Sequence, residues 1–583
     1  MYLKYLTIKN FRAIKETTLN FNKGVNVLIG ANNSGKTAVI DALRLSLGYK
    51  DQKKIHVFKD DFYINKSDSS DEIKDIEFHL SFEITDNDFE RGLFLELYNV
   101  DENSLDLYFQ YTLKEDFRGF ERVYSNVWGG KKNGNNVPKE LLYLFYHVYL
   151  GALRDAHRFL EPGNYNKLGK LFSSINSESI NEKYIKDDMI QQIKTDISKS
   201  ELSNFIEDVQ RDYILNHLNK ITFENNDLNL NINPFYTDFD SFVNDFKIML
   251  PIFSEESDDN RFFDLSQNGL GYNNLIYISV ILSDLFNLRK INNRLFIGLC
   301  IEEPEAHIQP QLQNLLFSYL SEDLNRNLND NKQSFQIFIT SHSPTLTAKA
   351  DLESIILLQS TENNIVNESL KNLIIEDEDK TYLHKFLDVT KSQLFFTKKI
   401  IFVEGISEAL LIPIFAKLMN IDLEKSAVEI INAQGLTFKH FVPLFDKNSK
   451  LSFNGVIITD KDNKKIGEEP SNQFEKINEY INKGFNLKVF SANITFEYEL
   501  LNVNDENSLI WKIFKDTHPK IMKQNSSANL NKSEKIIKIL RHKINKSKIS
   551  WELSHKLEEQ IKDNTVQFEI PKYIKDAINY IMK

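Results

Sequence analysis

One cysteine, Cys300, in 583 residues leaves no disulfide framework and suits a reducing compartment. Positive charge is also in short supply. With 83 acidic against 71 basic side chains the formal net charge is −12 and the pI is near 5.6, so the total does not advertise a nucleic-acid binder. It does not exclude one, because binding depends on local Lys and Arg clusters. Such runs occur at Lys398-Lys399, at Lys464-Lys465, and from Lys532 through Arg541, Lys543, Lys546 and Lys548, and each could equally be a solvated face. Long hydrophobic runs are missing: the most apolar stretch, Leu141 to Leu153, is too short to span a bilayer and contains His147. No basic-then-apolar leader opens the chain, and the expectation is a soluble, cytoplasmic protein with no membrane partner. There is no internal repeat and no Gly/Ser linker, so the domains are expected to be fixed against one another. What is present, 41% hydrophobic and 12% aromatic residues, is ample for sizeable cores.

Two apolar runs end abruptly in carboxylates: Ile400-Ile401-Phe402-Val403 before Glu404-Gly405-Ile406-Ser407-Glu408, and Val456-Ile457-Ile458-Thr459 before Asp460-Lys461-Asp462. Each run reads as a buried parallel strand, and open α/β sheets place their ligands at the carboxyl edge of such strands. Glu404 and Glu408 lie four apart across a strand-to-helix turn, and Asp460 and Asp462 repeat on one side of a strand end. Four oxygen donors at one edge need a hard cation to cancel their repulsion, and Mg²⁺ or Mn²⁺ fits that set.

The amino-terminal half carries a second pattern. Val25-Asn26-Val27-Leu28-Ile29 is a short buried strand, followed by Gly30-Ala31-Asn32-Asn33-Ser34-Gly35-Lys36-Thr37 and a helix from Ala38 to Leu47, which is a P-loop in its strand–loop–helix context. Backbone N–H groups of the glycine loop wrap phosphates, Lys36 reaches the β/γ oxygens and Thr37 ligates Mg²⁺, so this half is expected to bind a nucleoside triphosphate. The strand Leu295–Ile301 ends in Glu302-Glu303-Pro304-Glu305-Ala306-His307. An acidic pair beside a P-loop can hold the metal's water shell and polarise the attacking water. The strand Phe335–Thr340 ends in Ser341-His342-Ser343-Pro344, which puts His342 where a γ-phosphate would lie. Ser266-Gln267-Asn268-Gly269-Leu270-Gly271 precedes a long apolar helix from Leu275 to Leu288, a second anion site that a partner subunit could present to the same phosphate.

These motifs, in this order, resemble known families. The P-loop with Glu302–His307 and Thr340–Pro344 is similar to the ATP-binding-cassette ATPases related to RecF and the SMC proteins, whose first strand Leu6-Thr7-Ile8-Lys9-Asn10-Phe11-Arg12 resembles, with the Arg close to the nucleotide. Val403-Glu404-Gly405 with Asp460-Lys461-Asp462 resembles the Toprim domain. Together they resemble the OLD (overcoming lysogenization defect) family of ATPase–Toprim nucleases, which includes the Gabija antiphage branch. The likeness takes in Leu153-Arg154-Asp155, Phe395-Phe396, Thr495 to Leu500, and Lys546 upstream of Ile570-Pro571-Lys572-Tyr573-Ile574. It implies an α/β fold: an ABC-type head in two lobes (1–152 and 259–348), a helical dimerisation insertion (153–258), a connector (349–392) and a Rossmann-like Toprim domain (393–583).

The same resemblance implies roles. Arg12, Asn33, Ser34, Gly35, Lys36 and Thr37 would hold ATP, and Thr37 and Glu302 its metal. Glu303 would polarise water, His342 would sense the γ-phosphate, and Ser266, Gly269 and Gly271 would act in trans. Glu404, Glu408, Asp460, Asp462 and Glu497 would hold two Mg²⁺ or Mn²⁺, with Lys546 stabilising the pentavalent phosphate and Lys548 a rival for that part. Glu302 stands where most relatives have Asp, and the signature loop is degenerate, so slow or absent ATP hydrolysis is expected. The implied partners are DNA, further copies of the chain and a separately encoded UvrD-like helicase. The implied activity is an ATP-regulated DNA endonuclease in antiphage defence. Two alternatives stay open: an ATP-clamping repair or chromosome-structural protein that does not cut, and a topoisomerase- or primase-like enzyme, against which the missing winged-helix and gyrase-like modules argue.

Overall fold

The computed structural model describes residues 1–47, 55–64, 74–84, 88–152, 159–176, 201–222, 231–233, 243–251, 262–291, 296–323, 334–372, 376–387, 391–461, 475, 478, 481, 484–524, 530–563 and 565–583. They form two compact units, Met1–Lys371 and Asn372–Lys583. No helix among them is long and apolar enough to cross a membrane. Asp462, Lys464-Lys465 and Leu153-Arg154-Asp155 fall outside the described residues.

Along the first unit run β1 (Tyr2–Phe11), β2 (Ile14–Asn20), β3 (Val25–Ile29), helix α1 (Lys36–Ser46), β4 (Ile76–Glu83), β5 (Tyr98–Asn99), β6 (Ser104–Glu115), β7 (Glu121–Gly129), β8 (Asn135–Asn136) and β9 (Phe145–Leu150). After them come β10 (Asn231–Asn233), β11 (Lys247–Pro251), β12 (Phe262–Asp264), helix α2 (Leu270–Ile291), β13 (Phe296–Glu302), β14 (Ser334–Ser341), β15 (Ile355–Ser360) and β16 (Ile365–Ser369). The P-loop strand β3 lies inside a six-stranded sheet ordered β16-β15-β3-β14-β13-β9, parallel throughout except for the β15–β16 hairpin. Its strands are apolar on both faces, as central parallel strands are, and all five residues of β3 and all seven of β13 are buried. An antiparallel sheet ordered β2-β1-β4-β6-β7-β8 covers it, with β5 alongside β6. In β4 the alternation turns Ile76, Phe78, Leu80 and Phe82 inward, and Phe82 meets Phe145 and Phe296 at 4.9 and 5.0 Å. Helix α1 buries Val39, Ile40 and Leu43 in the same core, so the helix that opens at the phosphate loop is held on both sides.

Two findings depart from the sequence-based outline. The stretch expected as a helical insertion holds helical residues 201–218 with Ile206 and Val209 buried and Tyr213 half-exposed, but also a three-stranded antiparallel sheet, β10-β11-β12. The strand signal there is the two-residue period that buries Ile248 and Leu250 and leaves Lys247 and Met249 half-exposed. The stretch expected as a connector from 349 contains β15 and β16, which belong to the P-loop sheet: Ile355-Ile356-Leu357-Leu358 is buried and pairs with β3.

In the second unit β17 (Lys399–Val403), β18 (Val428–Asn432), β19 (Asn454–Asp460) and β20 (Leu487–Ala492) form a wholly parallel sheet ordered β18-β17-β19-β20. Helix α3 (Ile406–Leu418) follows β17, and α4 (Phe496–Val503), α5 (Leu509–Thr517), α6 (Lys532–Leu540), α7 (Lys546–Lys562) and α8 (Lys572–Met582) complete the unit. Their apolar faces share one core that includes Leu411, Phe415, Trp511, Phe514, Leu553 and Ile578.

Candidate functional sites

In the first unit, Gly30 (φ +153°) and Gly35 (φ +93°) turn the loop from β3 into α1. A Cβ on Gly30 would stand 2.2 Å from the Leu358 carbonyl oxygen, and one on Gly35 would stand 2.4 Å from Cδ1 of Ile365. Strands β15 and β16 therefore brace the loop from behind, and only glycine fits at both points. Asn33 takes the left-handed region at φ 61°, which its short side chain tolerates. Lys36 is 5% exposed; its Nζ donates to the carbonyls of Gly30 (2.8 Å) and Ala31 (2.9 Å) and to Ser34 Oγ (3.3 Å). Burial lowers its pKa to about 8, against the pull of Glu303 and Glu305, so the ammonium lacks the counter-charge that a phosphate would supply.

Glu302, at the end of β13, is buried. Burial raises its pKa, while hydrogen bonds from Tyr149 (2.5 Å) and Thr37 lower it, so the two residues expected to share the nucleotide's metal are neighbours. Glu303 sits at φ 46°, its N–H donating to the Thr340 carbonyl at 2.9 Å, and its carboxylate lies 3.4 Å from His342 Nε2. Burial and the Lys36 charge hold the His342 pKa below the ordinary value. The expected Arg12 does not stand free: it donates to Asp41 and Asp61, both at 2.8 Å, and Asp41 also takes Arg44 at 2.7 Å. Ser266 and Gly269 are exposed. Gly271 faces its own subunit, where a Cβ would come within 2.6 Å of the His307 carbonyl, and Asn274 Nδ2 donates to the Ala306 carbonyl at 3.0 Å. The signature helix thus packs directly on the loop that carries Glu303.

In the second unit the carboxyl edge of the parallel sheet gathers acidic groups from four elements. Glu404 follows β17; its Oε1 accepts from the Asp460 N–H at 3.0 Å and from the Thr459 hydroxyl, which ties it to the end of β19. Glu408, in the first turn of α3, is 8% exposed, and burial together with Glu497 and Glu404 pushes its pKa up to about 7. Burial, then Glu404, Glu408 and Glu497, hold Asp460 well above the usual carboxylate range. Glu497, on α4, is 5% exposed and accepts from Lys546 Nζ at 2.9 Å. Burial opposes the Lys546 charge, but Glu497, Asp460 and Glu408 outweigh it and raise its pKa. Lys548 points elsewhere, 3.8 Å from Glu552 on its own helix.

An all-oxygen donor set in which two carboxyls are driven toward neutrality by burial and then by their neighbours fits a hard divalent cation. Among the described residues no group of three His, Cys, Asp or Glu side chains stands at ion-holding spacing. Sequence reasoning assigned no role to Tyr149, Asp41, Thr459, Glu499 or Tyr573. The first three hold a named site residue, while Glu499 and Tyr573 lie among the acids of the sheet edge.

Residues 1–347 match the AAA ATPase domain family, and residues 395–462 match the Toprim domain of overcoming-lysogenization-defect-like proteins. Among curated proteins, the chain is 26% identical over 374 residues to Endonuclease GajA of Bacillus cereus strain HuB5-5, covering 54% of this chain and 53% of that one. It is 23% identical over 475 residues to Endonuclease GajA of Bacillus cereus strain VD045, covering 79% and 75%. The match thus spans about half the length of the first relative and three quarters of the second. Among solved structures, an Smc head bound to the C-terminal winged-helix domain of ScpA aligns with a TM-score of 0.39 at 16% identity, over 64% of this chain and 99% of that one.

Proposed function

The chain belongs to the OLD family of ATPase–Toprim proteins, and on that premise we propose that it is a divalent-metal-dependent DNA endonuclease whose cutting is governed by ATP at the P-loop. The observation that carries the reading is the gathering of Glu404, Glu408, Asp460 and Glu497 around Lys546 at one sheet edge. Divalent cations bound there would acidify an attacking water and stabilise the leaving 3′ oxygen. The chain's own residues prepare that chemistry. Glu404, tied to β19, fixes the spacing of the two central strands. Glu408 and Asp460 offer buried oxygens, and Lys546 supplies a positive charge beside Glu497 where a phosphodiester would gain negative charge. In the first unit Lys36, Thr37 and Glu302 would bind ATP and its metal, Glu303 would orient water, and His342 would read the γ-phosphate. The exposed Ser266 and Gly269 suit presentation to a second copy. Through the same family relation, we assign the protein to defence against phage.

The test is incubation of purified protein with plasmid and Mg²⁺ or Mn²⁺, with and without ATP. Metal-dependent nicking or linearisation that Asp460→Ala abolishes, with DNA binding retained, supports the reading. Equal cleavage by the variant sinks it, and a covalent tyrosine–DNA adduct would move the protein to the topoisomerase class.

A further inference from the structure

Residues 509–548 of this acidic chain carry eleven basic and two acidic side chains, a formal +9 within a protein of net −12. Helix α5 buries Ile510, Trp511, Ile513 and Phe514 and turns Lys512 and Lys515 outward. The short helix Pro519–Gln524 exposes Lys520, and α6 buries Ile536 and Ile539 and exposes Lys538. Some cations of the segment are committed: Lys532 to the Asn502 and Asn504 carbonyls, Lys535 to Glu506, Lys548 to Glu552. Lys512, Lys515, Lys520, Lys538, Arg541 and Lys543 are exposed and make no ion pair among the described residues. An ordinary solvated face mixes signs, as the outer side of α7 does with Lys548 beside Glu552 and His555 beside Glu559. This segment sets only Asp516 and Glu534 against its eleven bases. One hydrogen bond gathers it: the Asn545 N–H donates to His518 Nε2 at 3.0 Å. His518 stands two residues before Lys520 and three after Lys515. Asn545 stands two residues after Lys543 and immediately before Lys546, whose ammonium enters the carboxylate site.

We propose that Lys512, Lys515, Lys520, Lys538, Arg541 and Lys543 form the surface that holds the phosphate backbone of duplex DNA beside the Glu404–Asp460–Glu497 site. This rests on the endonuclease reading. The charge complements a polyanion, and the surface is continuous with Lys546, which reaches Glu497. It recognises phosphate spacing and not base sequence.

The test uses the full chain in EDTA, so that nothing is cut, with a fluorescent 30-base-pair duplex. Anisotropy titrations between 50 and 200 mM salt compare the parent with Lys538→Gln/Arg541→Gln/Lys543→Gln. Each lost phosphate contact lowers the slope of log affinity against log salt by about 0.9, so the expected loss is roughly 2 to 3. Thermal unfolding and ATP binding are expected to stay unchanged. In the metal-loaded protein the triple variant should raise KM for plasmid and leave kcat close to that of the parent. An unchanged slope in a parent-like fold overturns the surface alone. A parent that binds no DNA overturns the surface and the endonuclease reading together.

A different observation carries a second inference. Helix α8 packs on β17, β19 and β20, and Lys399 at the start of β17 donates to the Met582 carbonyl at the helix end, 3.2 Å away. The helix therefore runs against the strands, and its first turn lies at their carboxyl edge. There Tyr573 keeps part of its ring in solvent, but its hydroxyl is enclosed and has no hydrogen-bond partner among the described residues. The acids whose charges act on it are Asp460, Glu408, Glu499 and Glu497. An enclosed hydroxyl without a partner works against the fold.

The geometry points to Tyr573 as a positioning residue, whose O–H donates to a site carboxylate once a cation has drawn the acids together. Tyr573→Phe keeps the ring and removes the donor. Mn²⁺ binding measured by calorimetry should weaken about 10-fold, as losses of such outer hydrogen bonds do, with no fall in Tm. A Mn²⁺ affinity within twofold of the parent overturns the role, and a parent that binds no Mn²⁺ overturns the metal site as well.

Discussion

Lys36 offers a quantitative handle on nucleotide binding. Without phosphate its ammonium is buried against two carbonyls and a hydroxyl, and burial lowers its pKa from 10.5 to about 8. Because the folded pKa is depressed, the stability tied to this group is present at high pH. It is lost as pH falls from 10.5 through 8, at a cost of about 3 kcal/mol once both states are protonated. Phosphate oxygens in the loop return the missing counter-charge and restore the proton's affinity. Binding must then take up a proton: about 0.5 per site at pH 8, about 0.9 at pH 9, and only about 0.1 at pH 7. ATP titrations in two buffers of different ionisation enthalpy measure that number directly, with Lys36→Met as the variant that takes up none. Buffer-independent heats at pH 9 in a protein that binds ATP would refute the reasoning, because Lys36 would then be fully protonated before the nucleotide arrives.

Three further outcomes are expected. Lys546→Ala should cut DNA at least about 10-fold more slowly, and Lys548→Ala at close to the parental rate, because only Lys546 reaches Glu497; a plasmid cleavage time course distinguishes them. Gly271→Ala forces a Cβ against the His307 backbone oxygen and should destabilise the first unit by about 1–3 kcal/mol, read by denaturant unfolding. Buried His217, beside Tyr319, has its pKa lowered to about 4, first by burial and then by Lys220. Its neutral form is the folded one, so stability is full above pH 6.5 and falls toward pH 4, by about 2 kcal/mol at pH 5. Unfolding of the parent and His217→Gln at pH 7 and pH 5 should show that difference, and parallel curves would contradict it.

The strands that end at the candidate sites were legible because each is a short apolar run closed by residues that cannot belong to a core. Val25–Ile29 before the glycine loop, Phe296–Glu302 before Glu303, Lys399–Val403 before Glu404 and Asn454–Asp460 all lie where those runs end. Charged side chains on later helices were readable only by likeness: Glu497 lies in the first turn of α4 and Lys546 opens α7, and neither spacing nor composition links positions 49 residues apart that meet at 2.9 Å. Partners of the site residues left no trace. Tyr149 lies in the apolar strand β9, and nothing in Phe145–Leu150 says that one hydroxyl will meet Glu302 from 153 residues away. The small sheet β10–β12 escaped because Asn231–Asn233, which pairs with Met249, Ile248 and Lys247 of β11, carries no apolar run. In the signature loop Ser266 and Gly269 are exposed, while a Cβ on Gly271 would stand 2.6 Å from the His307 carbonyl oxygen.

The bracing of the phosphate loop bears on where the chain can be divided. The likeness to ATPase domains ends at residue 347, yet the atoms that crowd Gly30 and Gly35 belong to Leu358 and Ile365. A fragment stopped at 347 would keep every nucleotide-binding motif and lose the wall behind them, along with the strand that pairs with β3. One stopped at 371 keeps both. Residues 355–369 carry no catalytic side chain, and they set the shortest piece of this protein that can be expected to grip ATP as the whole chain does.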